Sequence, residues 1–201
     1  MAGRLVVLIS GTGSAMEALA VACTRKELAA DIAAVIADRD CFGLKVAAKR
    51  GVPAFTIEPA QFPSRNDWNE ALGECVGDFR PHVVVLAGFM RVLAPPLVDA
   101  YAGRLINLHP SLLPAFPGAH AVRDALDTGV KVTGTTIHFV DHEVDHGPIL
   151  LQEAVRVQAG DTELSLHTRI KNVEHRLLPK ACRLILERKV QIKDGVTHVE
   201  P

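Results

Sequence analysis

Asn107 and His109 stand two residues apart in the run Arg104-Leu-Ile-Asn-Leu-His109, and Pro110 follows at once. In an extended strand, residues two apart project from one face with Cα atoms about 6–7 Å apart. An amide that donates hydrogen bonds would then sit beside an imidazole that can hold or release a proton. Pro110 removes the next backbone donor and pushes His109 toward extended geometry, so the strand should end with the ring near its tip. That pairing suits acid–base chemistry, although a histidine in this place also fits as a packed core or surface residue.

A second feature is Gly11-Thr-Gly-Ser14, between an apolar β-branched run and a helical pattern. Glycines let the backbone turn sharply, and the free N–H groups of a helix start attract an anion such as a phosphate. The dinucleotide fingerprint needs a third glycine where Met16 stands, and the Gly-Lys-Ser/Thr ending of a P-loop is missing. The loop is therefore expected to hold a small phosphate ester; the alternative is a tight turn whose helix is capped by Ser10 or Ser14. His142-Glu-Val-Asp-His146 matches the zinc-protease pattern by letter. That pattern needs a helix to put both imidazoles on one face. Gly147-Pro148 follows and the β-branched run to Val140 precedes, leaving no room for a helix. No metal site is expected there, and Asp145 becomes the residue of interest.

The elements that must position these residues alternate along the chain. Strand-like runs at Arg4–Ile9, Ile32–Ala37, Ala54–Ile57, His82–Ala87 and Arg104–His109 are separated by helical patterns at Met16–Cys23, Gly43–Lys49, Arg65–Phe79 and Pro95–Tyr101. Several strands are continuous apolar runs, as in a sheet covered on both faces. A helix at Ala119–Asp127 leads to two longer strands, Val132–Val140 and Ile149–Val157, and helical spacing resumes from Glu163 to about Arg188. The tail Val190–Val199 alternates around Asp194-Gly195, a tight hairpin signal. The pattern predicts an α/β chain, a Rossmann-like doubly wound and mostly parallel sheet with an antiparallel C-terminal extension, as one domain over residues 1–201.

Lys+Arg number 22 and Asp+Glu 23, so no global field draws the chain to nucleic acid or to an anionic membrane. An anionic ligand must be held by a local device. Cys23, Cys41, Cys75 and Cys182 are irregularly spaced, which reads as free thiols. With no signal peptide and no membrane-length apolar run, a soluble cytoplasmic protein is expected.

Taken together, Gly11-Thr-Gly-Ser14, Ala87-Gly-Phe-Met-Arg-Val-Leu93, Asn107-Leu-His-Pro-Ser-Leu-Leu-Pro114, Phe116-Pro-Gly118, Gly134-Thr-Thr-Ile-His138 and Asp145-His-Gly-Pro148 closely resemble the folate-dependent glycinamide ribonucleotide formyltransferases of purine biosynthesis. The match runs in order from about residue 4 to residue 190. The resemblance implies the formyltransferase fold and transfer of a formyl group from 10-formyltetrahydrofolate to the amine of glycinamide ribonucleotide, without a metal. It places Asn107, His109 and Asp145 on the catalytic trio, with Asp145 beside His109, a pairing that the residue pattern alone does not show. An opposite charge there would favour the protonated imidazole. Thr12, Gly13, Ser14 and Ala15 fall where the ribonucleotide phosphate is held; Ala15 stands where many members have Asn. Glu174 falls on the acid that contacts the glycinamide end. Arg65, Met90, Arg91, Val92, Leu93 and Asn107 fall on folate-binding positions, although Arg65 also reads as a solvated surface charge. A monomer or homodimer is implied. The nearest rival is a 10-formyltetrahydrofolate hydrolase, which usually carries an extra N-terminal domain; a non-catalytic nucleotide-binding module and a zinc hydrolase on His142 and His146 are more distant.

Overall fold

The structure, a computed structural model, describes residues 2–200. Seven strands form one sheet in the order β3-β2-β1-β4-β5-β6-β7. They are β1 Gly3–Ile9, β2 Ala30–Ala37, β3 Ala54–Thr56, β4 Val83–Leu86, β5 Leu105–His109, β6 Val132–Phe139 and β7 Ile149–Arg156. The first five run parallel, whereas β6 pairs antiparallel with both β5 and β7. The crossovers are α1 Ser14–Thr24, α2 Phe42–Lys49, α3 Arg65–Asp78 and α4 Pro95–Ala100; α5 Ala121–Thr128 precedes β6, and α6 Glu163–Leu186 follows β7. The hairpin β8 Val190–Lys193 and β9 Val196–Val199 turns at Asp194-Gly195, both at positive φ as that turn requires. The Rossmann-like doubly wound sheet and its antiparallel C-terminal part are as expected. Among the described residues no helix is long and apolar enough to cross a membrane.

The apolar runs are buried because both faces of the sheet are covered. Along β1, Leu5, Val7 and Ile9 point toward α1, α2 and α6, meeting Met16, Leu19, Ala47 and Leu178. Val6 and Leu8 point the other way, toward Trp68, Leu72 and Val76 of α3 and Leu97 and Val98 of α4. Each such side chain contributes on the order of 1.5–3 kcal/mol by leaving water. Trp68 is fully buried, and its indole N–H is satisfied by the Ile57 carbonyl at 2.8 Å. A smaller cluster of Val122, Val155, Leu166 and Ile170 fastens α5 and β7 to α6, whose first turn is closed by a reciprocal Thr162–Ser165 capping box. The strand order reverses between β1 and β4, and ligands of such sheets bind outside the carboxyl ends of the strands at that point.

Candidate active site

At that point lies an open cleft of ≈ 600 Å³, a size suited to small-molecule ligands. Its walls are the glycine loop Gly11–Ala15, the segment Leu86–Leu93, the end of β5, the turn Gly118–Val122, His138 of β6, the loop residues Glu143–Asp145, and one face of α6 with Glu163, His167, Lys171 and Glu174.

The expected trio converges. Asp145 Oδ2 lies 3.3 Å from His109 Nδ1 and accepts the Gly118 N–H at 2.7 Å. Its Oδ1 accepts from Asn107 Nδ2 at 3.3 Å and lies 3.6 Å from His138 Nε2. The loop reaches this far because it is tightly folded back. Asp145 has φ 55°, and a Cβ at Gly147 would come within 1.9 Å of the Phe139 carbonyl oxygen, an approach that only glycine permits. Residues 142–147 form bends around a turn at 144–146, with His142 paired to Asp99 and His146 to Asp141.

His109 has acceptors at both ring nitrogens, since Nε2 meets the Phe116 carbonyl at 2.7 Å. Yet it is only 4% exposed, and burial lowers its pKa by more than the Phe116 carbonyl and the Asp145 charge raise it, while His138 lowers it further. Asp145 favours the protonated ring, as expected, but the net direction is down because desolvation is the largest contribution. Burial likewise pushes the Asp145 pKa up, but His138, the Gly118 N–H and the charge of His109 bring it below its ordinary value. The resting pair is a carboxylate beside an imidazole that gives up its proton readily.

The remaining expected residues fall into two groups. Thr12, Gly13, Ser14 and Ala15 line the cleft. Neither Ser10 nor Ser14 caps α1: Gly13, at φ 73°, is the N-cap residue and no side chain bonds there. The Ser10 hydroxyl accepts the Met90 N–H instead. Met90, Arg91, Val92 and Leu93 form another part of its wall. Arg65 lies outside the lining; its Nη2 donates to the Val92 carbonyl at 2.5 Å and its guanidinium covers the Trp68 ring, so it braces that wall. Glu174 is 7% exposed, 3.4 Å from the Thr135 hydroxyl, and burial raises its pKa to about 7 against the opposing pull of Thr135 and Lys171.

Sequence reasoning passed over His138 and Lys171. His138 sits directly across from Asn107 in the β5–β6 register, 3.2 Å from its amide, at a register shift that re-aims the strand. The strand alternation of Gly134–His138 carried that signal. Lys171 is three residues before Glu174 on α6, hence on the same helix face.

The formyl transferase family model matches residues 3–182. The chain belongs to the formyl transferase family. Within that family, phosphoribosylglycinamide formyltransferase of Mycobacterium tuberculosis is 47% identical over 189 residues, 94% of this chain and 87% of its own. Glycinamide ribonucleotide transformylase 1 from Symbiobacterium toebii superposes with a TM-score of 0.97 at 43% identity, covering 100% of this formyl transferase and 95% of that chain. A formyltetrahydrofolate deformylase from Pseudomonas syringae superposes with a TM-score of 0.92 at 31% identity, covering 100% of this chain and 67% of that one.

Proposed function

We propose that this chain transfers the formyl group of 10-formyltetrahydrofolate to the amine of 5'-phosphoribosylglycinamide, giving 5'-phosphoribosyl-N-formylglycinamide and tetrahydrofolate in de novo purine biosynthesis. The relatives that carry this name support the reading. The observation that carries it is the Asp145 carboxylate joining His109 to Asn107 in a cleft that the glycine loop and the Gly88–Leu93 segment both line. When bound, the folate supplies an activated formyl group on nitrogen. Thr12 to Ala15 hold the phosphate through backbone N–H groups at the start of α1, where a lost Asn side chain at position 15 matters little. Glu174 meets the glycinamide end, and the backbone of Met90–Leu93, braced by Arg65, takes the pterin.

Asn107 and His109 act on the oxygen where negative charge gathers during transfer. The Asn107 amide is oriented by Asp145 and His138 over long contacts of 3.3 and 3.2 Å, so its hydrogens are held loosely enough to turn to a stronger acceptor. Burial lowers the His109 pKa, and as that charge develops the ring takes up the amine's proton and becomes a charge-assisted donor. Asp145 stabilises the transient imidazolium, and the pair carries the proton from the amine to the departing folate nitrogen. The test is to follow loss of the formyl group by absorbance with glycinamide ribonucleotide, without an acceptor, and with a chelator. Acceptor-dependent loss indifferent to the chelator is expected. Acceptor-independent loss would assign a hydrolase instead, and chelator sensitivity would require a metal.

A further inference from the structure

The segment Gly88–Leu93 leaves the sheet after β4 with no regular structure of its own, so its shape depends on what grips it. The grips come from three other places in the fold. Ser10, at the end of β1, donates its N–H to the Gly88 carbonyl at 3.1 Å and accepts the Met90 N–H on its hydroxyl at 2.8 Å. Arg65 of α3 holds the Val92 carbonyl. Asp38, just beyond β2, accepts from Arg91 Nε at 2.6 Å, and the Ser10 hydroxyl is among the groups that favour its charged form. One carboxylate thus fixes the guanidinium of Arg91 within the same segment that Ser10 grips at Met90. Asp38 is 2% exposed, and Arg39 closes its outer side with two bonds of 3.1 and 2.8 Å. Burial alone would raise its pKa, but the bonds from Arg39, Ser10 and Arg91 more than offset that and bring it down to about 2. The grip is therefore charged at any working pH.

We infer that Asp38 is a positioning residue, which through its ion pair with Arg91, beside the grip of Ser10 on Met90, fixes the Met90–Leu93 backbone in the shape that receives the pterin; this rests on the formyl-transfer reading. Asp38 touches neither substrate, so its loss weakens folate binding while leaving the acid–base centre intact. Two readouts test this in the full chain: amide hydrogen exchange across residues 88–93, and the separate KM values for 10-formyltetrahydrofolate and glycinamide ribonucleotide. Asp38→Asn is expected to speed exchange of 88–93 by about tenfold without changing Val83–Leu86, and to raise the folate KM by about tenfold with kcat within about threefold of wild type. Arg39→Ala, which removes only the outer partner, should move both readouts by less than about twofold. Ser10→Ala leaves the Asp38 ion pairs in place and should free the Met90 amide, which keeps the test available if Asp38→Asn does not fold. Unchanged exchange in Asp38→Asn, faster exchange with an unmoved folate KM, or the same effects from Arg39→Ala would overturn the inference. Failure of the formyl-transfer reading would show in the wild-type protein before any variant is made, so the two failures are distinct.

Discussion

Glu174 offers a prediction in which the sign is as informative as the size. Its carboxyl is 7% exposed, and its pKa rises from 4.5 to about 7 on folding. The folded chain therefore binds this proton more tightly than the unfolded chain, and the stability involved is present below pH 4.5 and is lost as pH rises through 7. With each tenfold change in proton affinity worth about 1.4 kcal/mol, the full loss is about 3 kcal/mol, most of which falls between pH 5 and pH 8.5. Glu174→Gln keeps the shape of the side chain and its acceptor for the Thr135 hydroxyl but cannot ionise. Urea unfolding of both proteins at pH 5 and pH 8.5 should show the variant gaining about 2–3 kcal/mol on wild type between the two pH values, with equal m-values. If the difference between the two proteins is the same at both pH values, burial does not hold this carboxyl neutral and the argument fails. Glu174 also lines the cleft, and if it meets the glycinamide end as proposed, the substitution should raise the KM for the ribonucleotide and leave that for the folate near wild type.

Three further outcomes follow from the site. Asn107→Ala and His109→Ala should each lower kcat by about tenfold or more in a folded protein, because each removes a donor to developing charge; wild-type turnover by His109→Ala would remove the assignment. Gly13→Val should raise the KM for the ribonucleotide by about tenfold, about 1.4 kcal/mol of binding, and that of the folate much less. Its left-handed φ and a Cβ only 2.7 Å from the Gly43 backbone would distort the phosphate loop, and equal effects on both KM values would withdraw the phosphate from that loop. Burial lowers the pKa of His109, His167 and His175, so the unfolded chain takes up these protons first. Their contribution to stability is intact above about pH 6.5 and falls away as pH drops below it. In Glu174→Gln, where the opposing carboxyl is gone, the Tm should fall from pH 7 to pH 5; a flat Tm would contradict it.

The fold was legible wherever one strand carried its own burial. Arg4–Ile9 reads as a strand covered on both faces because every residue from Leu5 to Ile9 is apolar, and all five are fully buried. Asn107 and His109 were legible for the same local reason, as strand alternation puts them on one face. What stayed hidden depends on contacts distant in sequence. His138 meets Asn107 only through the β5–β6 register, and the Phe116 carbonyl and Gly118 N–H that frame His109 and Asp145 are backbone groups with no residue type to announce them. The net pKa of His109 is a balance of burial against charge, and burial could not be weighed from one strand. Arg65 falls by resemblance on the folate site, with a surface charge as the alternative, and Ser10 figures only as an alternative cap; Arg65 is exposed and outside the cleft lining, and both hold the segment after β4.

If Asp145 joins His109 and Asn107 into one acid–base unit for formyl transfer, Asp145→Asn breaks that unit, since the amide oxygen can still accept the Gly118 N–H while the charge beside His109 is removed. In a single-turnover experiment with saturating 10-formyltetrahydrofolate and glycinamide ribonucleotide, the transfer step should slow by about tenfold or more, with folate binding close to wild type. A transfer step as fast as wild type would show that Asp145 is not part of the acid–base centre.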